Sequence, residues 1–375
     1  MRYIAKDIPL WQVTIWDKKF NNVDKKWQPK TIKYKYLLSD ELDSLRVDDG
    51  DVRILYTGKD VGFTTEELAG DRLSEGEIIS IPWGGIPTVK YHKGKFVTGD
   101  NRIATSKDID KLTNKYLYYF MRGNIHEIAS YYRGASLKHP CMKDILKMTI
   151  SYPSVQEQDK ICGQFDVLEQ IIEVRKQELQ LLDDLIKARF VEMFGNPDLN
   201  EKEWDINKME RLCEVSSSKR IYQNEQSVIG IPFLRISDLV NRMDTGSKEC
   251  DLYIPEEKYE ELKDQGLVPI KGDILLTARG TLGRCYIIQE NDEFYFQDGM
   301  ITWLSNFNEK ITSLYIAYLF SMPGFRKQID ALQAGSTVAY LSISMTKKLD
   351  IMVPPIELQN QFADFVHQVD KSKSY

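Results

Sequence analysis

The chain has 375 residues, of which 28% are charged and 42% hydrophobic, with a net charge of −6 and five cysteines. This composition is ordinary for a protein that folds around a hydrophobic core, and the length allows two or three domains. No apolar run is long enough for a membrane span or a signal peptide, and the cysteines form no Cys-x-x-Cys pair, so we expect a cytoplasmic protein without a disulfide framework or a zinc ribbon.

The negative charge is unevenly distributed along the chain. Residues 1–150 contain 25 Lys and Arg against 20 Asp and Glu, whereas residues 151–200 contain 5 against 10. Local basic patches matter more for phosphate contact than the total charge does. A nucleic-acid partner is therefore not excluded, although an unevenly charged solvated surface would explain the same distribution.

The first 150 residues predict a mixed α and β segment. Short β-branched and aromatic runs predict strands at 54–56, 77–81, 88–91 and 95–98, and helices follow at 113–122 and 124–132. The intervening turns at 82–87, 90–95, 100–102 and 131–139 are rich in glycine, basic residues and aromatic residues.

A long helix is predicted over 155–194, which contains one glycine and no proline. Pro153 and Ser154 precede it, Glu157 completes a capping box, and a Gly-Asn-Pro stop follows Phe194. About 40 residues give a rod of roughly 60 Å. Its apolar positions alternate in steps of four and three, as in a coiled-coil seam, with Arg175 and Arg189 as the expected weak points. The seam residues are Ile161, Phe165, Leu168, Ile172, Leu179, Leu182, Ile186 and Met193.

The second half of the chain repeats the first. Gly134 and Pro153 have counterparts 201 positions later in Gly335 and Pro354, and the segment 75–79 matches 271–275 at an offset of 196. The second copy predicts strands at 231–236, 272–277, 286–288 and 294–296, followed by helices at 312–320 and 323–332. A period this long indicates two similar domains in series rather than a solenoid.

The second copy also ends in a helix, over 356–375. Adding 201 to the first seam residues gives Phe362, Val366 and Val369, which continue the same pattern. We expect the two helices to pair antiparallel, although each could instead dock only on its own domain. The predicted fold is α+β, with domains over 1–152 and 197–353, a spacer helix over 153–196 and a short helix over 354–375.

The turns that recur in both copies predict a shared binding surface. Glycine lets a backbone approach phosphate closely, Lys and Arg neutralise phosphate, and Arg, Asn and Gln read base edges. Taken alone, each turn is equally consistent with an ordinary hairpin turn that has no binding role. The candidate DNA-binding residues are Lys33, Lys35, Lys59, Trp83, Lys90, Lys93, Lys95, Asn101, Arg102, Arg133, Ser136, Lys138 and His139 in the first copy, and Lys219, Arg220, Arg235, Arg279, Thr281, Arg284, Gln333, Ser336 and Thr337 in the second.

Patterns that carry catalysis or cofactor binding do not occur. We find no Asn-Pro-Pro-aromatic methyltransferase motif, no dinucleotide fingerprint and no phosphate loop. The four histidines have no metal-ligand spacing. We expect no catalytic residues, no metal and no cofactor in this chain.

The chain resembles the specificity subunit of type I restriction–modification systems. The resemblance rests on the Pro-x-x-x-x-Gln motifs at 153–158 and 354–359, on the heptad helix that ends in Phe194-Gly195-Asn196-Pro197, and on Trp204 at the start of the second half. It implies two target-recognition domains that each read half of a split DNA sequence, and two helices that hold them apart.

The resemblance also implies partners and a cellular setting. Double-stranded DNA, two methyltransferase subunits and, through them, restriction subunits would bind this subunit in a bacterial or archaeal cytoplasm, with S-adenosylmethionine, ATP and Mg held only by the partners. The second helix is about half as long as the first, which departs from the family's fuller second helix. The alternative is a two-domain scaffold that binds protein or carbohydrate, as the pI of about 5.5 would permit.

Overall fold

The computed structural model describes residues 4–18, 31–58, 61–332 and 339–373. The chain divides into two compact units, residues 1–174 and 175–375. The boundary falls within one continuous helix, so that each unit contains about half of it. None of the described helices is long and apolar enough to cross a membrane.

The first unit is built on a six-stranded sheet with the order β2-β7-β5-β6-β3-β4 and a separate antiparallel pair, β1 with β10. A two-stranded hairpin, β8 with β9, lies near its loops. The strands are β1 (Ile4–Pro9), β2 (Thr14–Trp16), β3 (Val52–Leu55), β4 (Val61–Thr64), β5 (Ser74–Pro82), β6 (Lys90–Thr98), β7 (Asn101–Ser106), β8 (Tyr132–Arg133), β9 (His139–Pro140) and β10 (Thr149–Pro153).

Helices cover one face of this sheet. Ile79 and Ile81 of the central strand pack with Leu117 and Met121 of α4 in one buried cluster. The helices are α1 (Leu10–Val13), α2 (Ser39–Ser44), α3 (Glu66–Ala69), α4 (Asn114–Gly123), α5 (Ile125–Ser130), α6 (Met142–Ile145) and α7 (Val155–Phe194).

The second unit repeats this topology with a divided sheet. Its strand orders are β12-β18-β15-β16 and β14-β13-β17, and β11 pairs with β19 as β1 does with β10. The strands are β11 (Asp205–Lys208), β12 (Glu214–Ser216), β13 (Ile231–Leu234), β14 (Tyr253–Ile254), β15 (Ile274–Thr277), β16 (Cys285–Ile287), β17 (Tyr295–Phe296), β18 (Ile301–Ser305) and β19 (Asp350–Val353). The helices are α8 (Ile236–Thr245), α9 (Glu256–Asp264), α10 (Ser313–Ser321), α11 (Pro323–Leu332), α12 (Ile343–Lys347) and α13 (Ile356–Lys373).

The division of the sheet has a simple origin. In the first unit β6 pairs antiparallel with β5 and parallel with β3. In the second unit these two roles fall to separate strands, since β16 pairs with β15 and β17 pairs parallel with β13. The two sheets therefore share one strand order, and the predicted duplication is confirmed.

Sequence matching misplaced the central strand by one residue. The predicted offset of 196 aligns Ile78 with Ile274, but Ile79 is the residue that packs beneath α4, just as Ile274 packs beneath α10. A slip of one residue moves every side chain of a strand to the other face. The structural offset here is therefore 195.

Several other element predictions were wrong in part. The turn predicted at 100–102 gives way to β7 at Asn101, and the helix predicted over 124–132 ends at Ser130. The turn predicted at 90–95 lies inside the continuous strand β6, and the strand predicted at 231–236 ends at Leu234 because α8 begins at Ile236. The predicted bounds of α7 and α11 were confirmed.

The second half of α7 packs on α13 within the second unit. Ile186, Phe190, Met193 and Phe194 form one buried cluster with residues of α13. The rings of Phe190 and Phe194 lie 5.5 and 5.4 Å from the ring of Phe362. Val366 and Val369 are buried in the same cluster, and Leu182 packs at its edge. Leu179 is half-buried, and this part of the predicted seam is confirmed.

The first half of the predicted seam is not covered. Phe165, Leu168 and Ile172 are 44, 52 and 53% exposed, so the seam assignment is wrong for these residues in the chain as described. Ile161 is half-buried, and the ring of Phe165 stacks on Tyr119 of α4 at 4.8 Å. The described part of α13 ends at Lys373, about half the length of α7, as its sequence predicted.

Of the two seam arginines, Arg175 is not a weak point, whereas the buried Nε of Arg189 has no hydrogen-bond partner among the described residues. Arg175 donates hydrogen bonds from Nη2 to the carbonyl oxygens of Ser372 and Lys373, at 3.3 and 3.0 Å. A cation at these terminal carbonyls stabilises the C-terminus of α13. Arg189 lies 5.7 Å from the ring of Phe365.

Candidate nucleic-acid interface

Two loops of the first unit meet at one end of its sheet. The loop after β5 begins at Trp83, and the hairpin of β8 and β9 carries residues 134–138. His139 Nδ1 donates to the carbonyl oxygen of Trp83 at 2.6 Å, and the Gly85 amide donates to the carbonyl oxygen of Lys138 at 3.1 Å. These bonds hold the two predicted turns together as one edge, which we call the first loop edge (residues 83–87 and 133–139).

The hairpin turn requires glycine at position 134. Gly134 has a φ of +140°, and a Cβ there would lie 2.2 Å from the carbonyl oxygen of Leu137. The turn leaves Arg133, Ser136 and Lys138 exposed, with Trp83 and His139 half-buried behind them. Among the described residues, neither Arg133 nor Lys138 has a carboxylate within salt-bridge distance, so their positive charges face solvent.

Two predicted DNA contacts are buried instead. Arg102 is fully buried, and its guanidinium pairs with Asp17 at 3.3 Å and with Asp100. Asn101 is also buried, and its amide donates to the carbonyl oxygen of Leu55 at 2.9 Å. Buried groups with these partners support the fold and do not reach a duplex, so both predictions were wrong.

Arg102 nevertheless supports the first loop edge from behind. Its guanidinium lies 4.5 Å from the ring of Trp83, within the range of a cation–π contact. Burial raises the pKa of Asp17 to about 6, and Arg102 opposes that increase. The buried pair thus fixes the ring that begins the loop.

Three predicted lysines of the first unit have acidic partners. Lys35 pairs with Asp71 and Lys95 with Glu66, while Lys93 lies 3.6 Å from Glu77. Lys90 donates to the carbonyl oxygen of Tyr56 at 2.5 Å. Lys33 is exposed in the segment before α2. Pairing with carboxylates reduces what these lysines can offer to phosphate.

The second unit has a corresponding edge after β15. The hydroxyl of Thr277 donates to the carbonyl oxygen of Thr281 at 2.5 Å and accepts from the Arg284 amide at 3.0 Å. This closed turn exposes Arg279 and Thr281. The Arg279 guanidinium lies 5.1 Å from the ring of Tyr340, whose segment follows α11. The second loop edge (residues 278–284 and 339–341) is thus built from the same two places in the repeat.

The other three predicted arginines of the second unit are paired with carboxylates. Arg220 pairs with Asp298 at 2.8 Å, and Arg284 pairs with Asp244 at 2.6 Å. Arg235 donates hydrogen bonds to the carboxylates of Asp238 and Asp251, which hold its pKa above the usual value. Lys219 is exposed, and its backbone amide donates to the Tyr295 hydroxyl.

Four predicted residues lie outside the described residues, so their positions remain predictions. They are Lys59, Gln333, Ser336 and Thr337. The last three immediately precede the segment 339–341 of the second loop edge.

The sequence analysis missed the residues that join each unit to its helix. Gln158 of α7 donates from Nε2 to the carbonyl oxygens of Lys111 and Pro153, at 2.7 and 2.9 Å. Gln359 of α13 does the same with Lys310 and Pro354, at 2.9 and 2.8 Å. The recurrence of glutamine at the end of both Pro-x-x-x-x-Gln motifs was the signal that could have revealed this role.

In the part of the chain that the structure describes, no cluster of three or more His, Cys, Asp and Glu side chains could hold a metal ion. What the two loop edges offer is hydrogen-bonding groups, aromatic surface and positive charge. These are the means by which proteins bind DNA phosphates and read bases.

Comparison with known proteins identifies the class. The family model described as the type I restriction modification DNA specificity domain matches twice, over residues 42–183 and 201–374. These two matches correspond to the two units, each with its part of the helices. The chain belongs to this family, and it is a DNA target-recognition subunit.

Two curated relatives are specificity subunits. A putative type I restriction enzyme specificity subunit of Haemophilus influenzae is 26% identical over 307 residues, covering 79% of this chain and 75% of its own. The MjaVIII specificity subunit of Methanocaldococcus jannaschii is 21% identical over 335 residues, covering 83% and 76%.

A solved structure has the same fold. The type I restriction–modification S subunit from M. genitalium aligns with a TM-score of 0.57 at 15% identity, covering 100% of this chain and 91% of that one. At this identity the likeness concerns the fold alone.

Proposed function

We propose that this subunit recognises a bipartite DNA target, with the first loop edge reading one half and the second loop edge reading the other. The proposal rests on one observation: the sheets of the two units share one strand order, but their loop edges expose different residues. The first offers Trp83, Lys138 and His139, and the second offers Arg279 and Thr281. Two units that share a frame but differ at the same edge are suited to two different half-sites.

Recognition combines two kinds of contact. Exposed cations such as Arg133 and Lys138 neutralise phosphates and give affinity without sequence preference. Arg279 has the side chain that most often reads guanine through paired hydrogen bonds in the major groove. Ser136, Thr281 and the three candidates at 333, 336 and 337 supply further hydrogen-bonding groups.

We further propose that this chain is not catalytic and that it directs methyltransferase and restriction subunits to DNA. S-adenosylmethionine, ATP and Mg would then be held by those partners, in the cytoplasm of a bacterium or archaeon, and two methyltransferase subunits would match the two units. Support for a protein partner comes from the exposed apolar residues of α7. Phe165, Leu168, Ile171 and Ile172 lie exposed within eight residues of one helix. An apolar patch of this kind marks a surface that another protein covers.

The non-DNA scaffold weighed from the acidic pI is not favoured. Both family matches are to a DNA specificity domain, and the charges that make the chain acidic lie largely in residues 151–375. Local charge at the loop edges decides phosphate contact.

The length of α7 provides the test of a bipartite target. Glu169 is ion-paired with Arg122 of the first unit, and Arg175 bonds to Ser372 of the second, so residues 170–174 lie between these anchors. Inserting four helical residues after Glu173 lengthens the helix by roughly 6 Å. Successive base pairs of a duplex are about 3.4 Å apart, so the added length corresponds to one or two base pairs.

Methylome sequencing of a strain carrying the gene with its methyltransferase neighbour reads the result. We expect both half-sites to be kept and the unread gap to widen by one or two base pairs. An insertion between the exposed residues Lys248 and Glu249 of the second unit serves as the control and should leave the gap unchanged. Retained methylation with an unchanged gap after the helix insertion would contradict the proposal.

A further inference from the structure

A cavity of about 1000 Å³ opens in the second unit between α10, α13 and β16. Leu282, Ile287, Leu314 and Ala317 give it an apolar wall, and Asp370 of α13 lies at its rim. Its volume is at the upper end of the range for ligand pockets. Residues 281–284 of the second loop edge form one side of it, but the side between α10, α13 and β16 has no part in the proposed DNA contacts.

The internal repeat identifies what occupies the same place in the first unit. Thr113 and Thr312 cap α4 and α10 and donate hydrogen bonds to the equivalent glutamines Gln158 and Gln359, so the two helices correspond at an offset of 199. Tyr118 therefore corresponds to Ala317, and Arg122 to Ser321.

The strands give the second correspondence. Ile79, beneath α4, pairs with Tyr91 of β6, and Ile274, beneath α10, pairs with Ile287 of β16. Tyr91 therefore corresponds to Ile287.

In the first unit this place is filled by the unit's own side chains. The rings of Tyr91 and Tyr118 lie 5.7 Å apart between β6 and α4. Arg122 donates to the Tyr118 hydroxyl at 2.9 Å and pairs with Glu169 of α7. Two aromatic rings and one guanidinium thus close the space between helix and sheet.

In the second unit the three filling residues are replaced by smaller ones, while the acidic position is retained. Ile287, Ala317 and Ser321 all line the cavity, and so does Asp370, which corresponds to Glu169 at the helix offset of 201. Two rings and a guanidinium of the first unit thus have no counterpart here, while the carboxylate remains and pairs with Lys373 of the same helix at 3.0 Å.

We propose that this cavity is a docking site for a partner protein that inserts a tyrosine ring beside Ala317 and an arginine beside Asp370. The aromatic ring would bury against Leu282, Ile287 and Leu314, which favours binding by removing apolar surface from water. The arginine would reproduce the ion pair that Arg122 makes with Glu169. The site lies within the second unit and adjoins the second loop edge through residues 281–284.

Two defined probes test this with the full chain. The probes are p-cresol, which carries the tyrosine ring alone, and the blocked peptide acetyl-Tyr-Ala-Ala-Ala-Arg-amide, which adds the arginine at the spacing of Tyr118 and Arg122. Methyl NMR signals of Ile287 and Leu314 report binding. We expect saturable shifts with both probes and tighter binding of the peptide.

Two variants locate the site. Ala317→Tyr restores the first unit's side chain and should weaken both probes by about tenfold or more, equivalent to about 1.4 kcal/mol, whereas the matched control Ala317→Ser should bind as wild type does. Asp370→Asn should remove the advantage of the peptide and leave the affinity for p-cresol unchanged. If Ala317→Tyr does not fold, Ile287→Tyr fills the same space from the strand.

The outcomes divide clearly. Absence of saturable shifts in the wild type overturns the proposal, as does equal binding by Ala317→Tyr. Binding of p-cresol without any gain from the peptide makes the cavity a site for small aromatic molecules and overturns the protein partner.

Discussion

Gln158 accepts hydrogen bonds from both the backbone amide and the hydroxyl of Thr113, at 2.9 and 3.3 Å. Gln359 and Thr312 repeat this arrangement with the same two distances. Thr113 and Thr312 are the N-caps of α4 and α10, so each glutamine ties the start of a domain helix to the start of a long helix. Both glutamines are buried, and each makes four hydrogen bonds through one amide group.

We predict that Gln359→Glu destabilises the second unit by about 1–3 kcal/mol or more. The carboxylate can still accept from Thr312, but the carbonyl oxygens of Lys310 and Pro354 lose their donor and face a negative oxygen instead. Thermal and urea unfolding measure the change. Gln361→Glu, on the exposed face of the same helix, is the control and should shift the transition little. Equal transitions for the two variants would show that the buried amide contributes nothing specific.

A pair of substitutions on α7 tests whether only the second half of the predicted seam is buried. Ile186 is 1% exposed and Leu168 is 52% exposed. Ile186→Asp should destabilise the second unit by several kcal/mol, because it buries an unpaired charge. Leu168→Asp should change stability by less than about 0.5 kcal/mol while weakening the binding of the methyltransferase subunit. Urea unfolding and a pull-down with the purified partner separate these effects, and a large loss of stability from Leu168→Asp would contradict the exposed seam.

The loop edges predict which lysines and arginines touch DNA. Lys138→Ala and Arg279→Ala should each weaken DNA binding. Lys138→Ala should also reduce the slope of log binding constant against log salt concentration by the amount that about one phosphate contact contributes. Lys95→Ala is the matched control, because its ammonium pairs with Glu66 and should contribute little. Fluorescence anisotropy of the assembled complex at several salt concentrations measures this. A larger loss of DNA affinity from Lys95→Ala than from Lys138→Ala would indicate that the DNA interface lies at β6 instead.

The buried pair behind Trp83 predicts a pH dependence of stability. The pKa of Asp17 is raised to about 6 in the folded state from an ordinary value of 3.8, so the folded state binds this proton more tightly. The resulting stabilisation is present below pH 3.8 and is lost as the pH rises through 6. Relative to Asp17→Asn, the wild type should therefore lose on the order of 2–3 kcal/mol between pH 4 and 6.5. Urea unfolding at intermediate pH values tests this, and a constant difference between the two proteins would refute it.

Predictions from sequence were most accurate where neighbouring residues formed an extended pattern. The heptad spacing and the flanking signals at Pro153 and Gly195 predicted both ends of α7, which runs from Val155 to Phe194. The glycine turns at 84–85 and 134 likewise predicted loops that do meet at one edge. Such signals depend on neighbours in the chain and need no knowledge of distant contacts.

The failures concern long-range packing. Asn101 and Arg102 follow a turn and have the composition of DNA-reading residues, but their partners Leu55 and Asp17 lie far away in sequence. Similarly, Arg175 looks like a defect in an apolar seam until the carbonyl oxygens at the end of α13 are placed beside it. Periodicity alone cannot say which face of a helix finds a partner, as Leu168 and Ile186 demonstrate.

The short antiparallel pairs at the ends of each unit have a consequence for evolution. Ile4 of β1 pairs with Pro153 of β10, and Asp205 of β11 pairs with Val353 of β19, so each unit enters and leaves at one point. Everything between these points can be replaced as a cassette while the flanking helix keeps its junction. A cell could thus acquire a new recognition sequence by recombining one such cassette, without redesigning the partner-binding surfaces. The glutamine–threonine contact at each junction is one fit that such an exchange would have to preserve, together with the contacts that Tyr119 and Arg122 make with α7.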